Sequence, residues 1–309
     1  VIYIMEHSRS LVAALVYVGS IYLSNTFLNT LKNIVNKHDS EKEKKQTHYK
    51  FTRDDPFVIK TRIVFVSIST LLTYLYCFYF KDCNMDLNKF ISLMQFKHGL
   101  IPTLSNLGDY FKEVSFFIAL YIVLYSAEII DDFVATYNTP IKAKFIIKNY
   151  ISSIDIWFIR NIIFAPITEE IVFTLIVQED YDNKVKFLNS IVYFGIAHLH
   201  HAYELYVDET NAYPVGSIII SCLFQMVYTS LFGHINNIIY SQKSQYSKIM
   251  NCICTHAICN YMGFPSVATN GLYLCSNKLS KKIKYSYEAL HIILLILGLY
   301  FYVKYMFFS

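Results

Sequence analysis

Apolar runs of about membrane length alternate with short polar stretches along the whole chain. Residues 11–31 are mainly apolar, and about 20 residues at 1.5 Å each match a hydrocarbon core of about 30 Å. The run is long for a signal-peptide core and no small-residue cleavage site closes it, so it reads as a span. A hydrophilic loop at 33–56 follows, then a second span at 57–80. Residues 81–112 are polar and mixed, with Pro102 and Gly108, and read as an interfacial connection. A third run occupies 114–126 and continues less purely to Phe133. Between Pro140 and Arg160, Lys alternates with Ile and Phe at helical spacing. That pattern suits an amphipathic helix lying in the interface, or an ordinary bundle helix. Further apolar segments lie at about 162–178, 185–203, 214–240, 248–269 and 286–307. Backbone groups in lipid must be satisfied within the segment, so the pattern predicts an all-α, polytopic bundle of about seven or eight transmembrane helices. The bundle is expected to form one integral membrane domain over 1–309, with residues 140–309 as its catalytic core.

Composition sharpens this picture. Charged residues make up 16% of the 309, against about 25% in an average globular chain. Gly numbers only 9 and apolar content is 54%, which excludes collagen and disorder. Seven scattered Cys are too few for a disulfide scaffold, and Cys252-x-Cys254-x-His256 is too tight for the usual zinc spacing. A net charge of +4 is too small to suggest nucleic acid, so no nucleic-acid partner is expected. From Lys37 to Arg62 there are eight Lys/Arg against five Asp/Glu, and Lys278, Lys281, Lys282 and Lys284 form a second basic cluster. Both flank apolar stretches, as cytosolic loops do.

In so apolar a chain the ionisable groups inside apolar runs stand out, because each costs roughly 2.5–3.5 kcal/mol to insert. The first set is Pro166-Ile-Thr-Glu169-Glu170. Pro166 suits a first helical turn, which would put both carboxylates near a helix N-terminus. Adjacent residues point about 100° apart, so the two Glu have different jobs. The second set is Phe194-Gly-Ile-Ala-His198-Leu-His200-His201, and the third is His256 with Asn260, an i,i+4 pair on one face. Two chemistries fit. In one, a carboxylate and a His activate water while a second His and an Asn hold the oxyanion. In the other, Glu169, His198 and His256 bind zinc, which acidifies the water. Nucleophilic catalysis by Cys259 is poorly directed from His256, three residues away, and a thiol in an apolar helix is unreactive.

These residues closely resemble the motifs of the type II CaaX prenyl endopeptidases, a group of glutamate-dependent intramembrane proteases. The similarity is carried by Arg160-Asn161-x-x-x-Ala165-Pro166-x-Thr168-Glu169-Glu170-x-x-Phe173 and Phe194-Gly195-x-Ala197-His198-x-His200-His201. It continues in Phe224-Gln225-x-x-Tyr228-Thr229-x-x-Phe232-Gly233 and His256-x-x-Cys259-Asn260-x-Met262-Gly263-x-Pro265. Upstream, Arg53-Asp54-Asp55-Pro56 precedes a membrane helix as in that family. The resemblance implies a multi-pass protease of the endoplasmic reticulum membrane. It would remove the aaX tripeptide from farnesylated or geranylgeranylated CaaX proteins such as small GTPases, working among membrane lipid and without a cofactor. It assigns water activation to Glu169 with His198, and the oxyanion hole to His256 and Asn260. Glu170, Arg160 and Thr174 would support the site. The family places Arg four residues after the second Glu, where this chain has Thr174. Glu170 must then be protonated, meet another cation such as Arg160, or bond to Thr174. Tyr228 and Phe232 either line the prenyl site or serve helix packing; His200, His201 and His234 are not assigned to catalysis. Asp54 and Asp55 read as a loop and helix cap. A competing, non-enzymatic reading is a bacteriocin-immunity-like or transport relative that uses the same polar cluster for binding.

Overall fold

A computed structural model describes residues 8–39, 54–80, 85–138, 154–180, 192–207, 213–269 and 280–308. Among them there is no strand, and the chain is a bundle of helices. They are α1 (Ser8–Asp39), α2 (Pro56–Leu75, extended by a π-helical turn Tyr76–Phe80), the short α3 (Leu87–Ser92), α4 (Leu107–Leu124) and α5 (Ser126–Asn138). A composite run over 156–180 is taken as α6, and the helical residues 192–207 as α7. The bundle is completed by α8 (Val215–Ile238), α9 (Lys248–Met262) and α10 (Lys281–Phe308).

Among the described residues five helices are long and apolar enough to cross a membrane: Arg9–Leu31, Pro56–Phe80, Ile156–Glu179, Val215–Lys243 and Lys281–Phe308. The pair α4–α5, bent by 66°, makes a sixth if counted as one span. Two more expected segments are helical but short. α7 is interrupted by a turn at His198, and α9 has 15 residues. The basic-rich stretch from Lys37 lies largely outside the described residues, as does most of 140–160. α1 runs helically through Asp39, into the stretch expected as a loop. The end of the 140–160 pattern belongs to α6, whose first turn is capped by Asp155: Phe158 N donates to Asp155 Oδ1 at 2.9 Å. Asp55 caps α2 in the same way, accepting from Phe57 N at 2.8 Å, with Pro56 in the first turn.

Large apolar side chains cover the outside of the bundle, among them Leu72 at 58%, Ile220 at 70% and Ile296 at 59% exposed. In water such a surface would be an interaction patch; here it is the face that lipid wets. Inside, α6 packs against α1, α2, α8 and α9, and its Leu175 and Ile176 are buried. α10 crosses α4 at Gly298, where a Cβ would come within 2.6 Å of the Val123 carbonyl oxygen. A small residue is what lets the two backbones meet.

The start of α9 is clamped from two sides, which fixes the helix that carries His256 and Asn260. The Glu113 carboxylate on α4 accepts from the backbone N–H groups of Gln245 at 2.6 Å, Tyr246 at 3.0 Å and Ser247 at 2.7 Å. It also accepts from the Ser247 hydroxyl at 2.6 Å. From the other side, Ile249 N donates to the His98 carbonyl at 3.0 Å. Next to it, Gly99 has φ +60°, and a Cβ there would lie 2.4 Å from Lys248 N. Only glycine fits both the left-handed backbone and the close approach.

Candidate active site

α6 is not a uniform α-helix. After Ile156–Phe158 it widens into a π-helical stretch at Ile159–Phe164, returns to α at Ala165–Glu169, and widens again at Glu170–Ile176. Wider turns of this kind occur frequently at functional sites. Pro166 sits in the first turn of the inner α segment, not at the start of a free helix. The helical run begins ten residues earlier, so the carboxylates do not face open N-terminal N–H groups as the sequence pattern suggested.

Glu169 and Glu170 take separate directions. Glu170 is 1% exposed. Its Oε2 accepts from the Thr174 hydroxyl at 2.6 Å, and its Oε1 lies 2.6 Å from His256 Nδ1. Glu170 therefore bonds to Thr174, and the partner at its other oxygen is His256 rather than Arg160. Arg160 instead meets Asp54 at 3.6 Å and donates from Nε to Asn161 Oδ1 at 2.9 Å. With Nδ1 engaged by Glu170, the other nitrogen of His256, Nε2, lies 3.8 Å from Glu169 Oε2. His256 thus stands between the two carboxylates, boxed by the rings of Phe232 and Phe194 at 4.8 and 6.1 Å.

A cavity of about 370 Å³ opens beside this chain, lined by Glu169, His198, His256, Asn260 and Arg160. Glu170 and Thr174 lie behind its wall. His198 sits at the turn in α7, with Nδ1 2.8 Å from the Phe194 carbonyl oxygen. A carbonyl only accepts, so Nδ1 carries the proton and Nε2 keeps its lone pair. That is the tautomer able to take up a proton. α7 can approach α8 because residue 195 is glycine; a Cβ there would meet Ser230 Oγ at 2.4 Å. Asn260 donates from Nδ2 to the Asn161 carbonyl at 2.9 Å, which holds its amide at the cavity.

One contributor has no signal in the sequence. Tyr17 of α1 lines the cavity and donates to Glu169 Oε1 at 3.3 Å; it is one of 27 tyrosines in the chain. Ile21 of α1 and Arg62, Ile63, Val66 and Ser67 of α2 also line the cavity, so the site draws on residues outside 140–309. His200 lines it too, with Nδ1 turned to the Ala197 carbonyl. The side chain of His201 lies outside the described residues. His234 is near Phe307 and does not line the cavity. Phe232 packs on His256, while Tyr228 lines the cavity and meets the Phe264 ring at 5.8 Å. The Cys259 thiol accepts from the Tyr125 hydroxyl at 3.6 Å. Among the described residues no three His, Cys, Asp or Glu side chains form a group that could hold a metal ion.

Fold and site define a multi-pass helical membrane protein whose helices enclose a cavity carrying a carboxylate, a proton-accepting imidazole and polar donors, the equipment of a hydrolase. The type II CAAX prenyl endopeptidase Rce1-like family matches residues 152–262. CAAX prenyl protease 2 of Saccharomyces cerevisiae is 30% identical over 273 residues, 80% of this chain and 84% of the yeast protein. The chain belongs to the type II CAAX prenyl endopeptidase family. The CAAX prenyl protease 2 of Arabidopsis thaliana is 31% identical over 40% of each chain. The human protein of that name is 31% identical over 37% of this chain and 34% of its own. No solved structure matches significantly.

Proposed function

We propose that this protein is an endopeptidase that removes the aaX tripeptide from prenylated CaaX proteins by a glutamate- and histidine-activated water. The reading rests on the convergence of Glu169, His198, His256 and Asn260 on one cavity, with His256 held by Glu170. Glu169, with Nε2 of His198, takes a proton from a water that attacks the carbonyl carbon of the bond after the prenylated cysteine. The carbonyl oxygen becomes an oxyanion, which accepts from His256 Nε2–H and the Asn260 amide. Each such donor is typically worth about 2.7–4 kcal/mol. The C–N bond then breaks and the stored proton passes to the leaving amine of the tripeptide. Tyr17 holds the Glu169 side chain in place by its hydroxyl.

Membrane-anchored small GTPases are the substrates this chemistry suits, the prenyl chain lying in lipid beside the bundle. We place the enzyme in the endoplasmic reticulum membrane, the compartment that the family resemblance implies. The test is reconstitution of the full chain in lipid vesicles with a fluorescent farnesylated CaaX peptide. Glu169→Ala is expected to lower turnover at least about a thousandfold, at the upper part of the range for a lost general base. Wild-type turnover should be unchanged by a chelator. An active Glu169→Ala enzyme would sink the mechanism; loss with chelator and recovery with zinc would replace it with metal chemistry.

A further inference from the structure

A tripeptide-releasing enzyme has to measure its cut from the end of the substrate, and that end carries a charge. This inference builds on the function proposed above. A carboxylate drawn into a cavity among apolar helices costs several kcal/mol unless a cation receives it. Glu169 at the reaction centre would repel it. Among the described residues that line the cavity the arginines are Arg62 and Arg160, and the imidazole of His256 is already engaged by Glu170. Arg62 is committed to a tight pair. Its Nη2 lies 2.6 Å from Glu204 Oε1, and Nε and Nη2 both donate to Asn25 Oδ1, at 3.3 and 3.1 Å. Its side chain is only 15% exposed. Arg160 meets Asp54 at 3.6 Å, and the Asp54 side chain is 68% exposed, so water competes for that carboxylate. The bond from Nε to Asn161 Oδ1 at 2.9 Å fixes the guanidinium at the cavity wall.

We propose that Arg160 receives the free C-terminal carboxylate of the substrate and thereby sets the cut three residues from the chain end. The spacing agrees. Three extended residues span about 10 Å. Arg160 precedes Glu169 by nine residues of one helical run, which puts their backbones about 13.5 Å apart or less along the helix axis at 1.5 Å per residue. Both side chains are long and both face the cavity. Asn260, an oxyanion donor in the reading above, is bonded to the carbonyl of Asn161, so this donor and the guanidinium share one wall of the cavity. The planar fork of an arginine accepts a carboxylate through two parallel N–H···O bonds, a geometry that a C-terminal amide cannot reproduce.

The experiment compares two farnesylated CaaX peptides, one ending in the free acid and one in the amide, on the full chain in vesicles. Wild type is expected to favour the acid by at least about tenfold in kcat/KM. Arg160→Gln should lower kcat/KM for the acid at least about tenfold more than for the amide, so the preference collapses. Asp54→Asn, which removes the competing carboxylate, should raise the acid preference. If Arg160→Gln does not fold, the wild-type preference and its rise in Asp54→Asn decide the matter. Equal cleavage of acid and amide by wild type overturns the proposal, as does an equal loss for both peptides in Arg160→Gln. A preference that disappears in Arg62→Gln and survives in Arg160→Gln also overturns it. In each of these cases cleavage itself persists, and the catalytic reading stands. Cleavage by Glu169→Ala would instead remove the reading on which this inference rests.

Discussion

Thr174 is the residue at which this chain departs from the motif it otherwise follows, and its geometry says what replaces the missing cation. The hydroxyl gives Glu170 a 2.6 Å hydrogen bond but brings no charge. The other carboxylate oxygen of Glu170 faces His256 Nδ1, 2.6 Å away, and that contact orients the imidazole that lines the cavity. Thr174→Val keeps the shape and removes the donor. Leaving a buried carboxylate oxygen unpartnered costs about 1–3 kcal/mol or more. The expected result is a lower unfolding temperature together with about a tenfold fall in kcat, KM little changed, and recovery of both in Thr174→Ser. Unchanged turnover in Thr174→Val would detach Glu170 from the reaction. The four residues that meet at the cavity were conspicuous at this scale because charge is scarce, so a Glu or His inside an apolar run stands out. Tyr17 was not, since a tyrosine in an apolar helix looks the same whether it touches lipid or Glu169.

At the scale of elements, apolar periodicity located the helices and missed their irregularities. A run such as 162–178 reads the same whether its backbone bonds close at i+4 or i+5, so the π-helical stretches flanking Ala165–Glu169 left no trace in the pattern. The turn at His198 was equally hidden. The clamp on α9 is a tertiary feature, built from Glu113, Gly99 and His98, far away in the chain. His98 gives it a pH dependence. Its side chain is fully buried, Nδ1 lies 2.8 Å from the Tyr74 hydroxyl, and Nε2 is buried with no hydrogen-bond partner. Burial pulls its pKa from 6.5 down to about 4, with Glu179 acting weakly the other way. The unfolded chain takes up a proton near pH 6.5 and the folded one refuses it until about pH 4. Stability is therefore full above about 6.5 and is lost as pH falls through that window, by up to about 3 kcal/mol. The unfolding temperature of wild type should drop between pH 7 and pH 5, and His98→Phe should flatten that slope. A wild-type profile already flat over this range would refute the assignment.

For the whole molecule, the cavity is enclosed by helices whose outer faces are apolar. Residues of α1, α2, α6, α7, α8 and α9 meet around the cavity, a convergence that sequence order does not reveal. On the proposed function, a prenylated chain end that enters such a cavity from the bilayer has a lipid group that concentrates the substrate at the enzyme without touching the reacting atoms. The two contributions are separable in kinetics. Replacing farnesyl by geranyl removes about five carbons, worth up to about 4 kcal/mol of partitioning at about 0.8 kcal/mol per buried methylene. An interaction equal in ground and transition states alters KM and leaves kcat alone. With the vesicle-reconstituted enzyme and the two peptides, apparent KM should rise at least about tenfold for the geranyl form, while kcat stays within about twofold. Were kcat to fall with KM unchanged, the prenyl chain would be positioning the scissile bond, and the apolar wall formed by Ile63, Val66, Phe164 and Tyr228 would have to be counted as part of the catalytic apparatus rather than as its entrance.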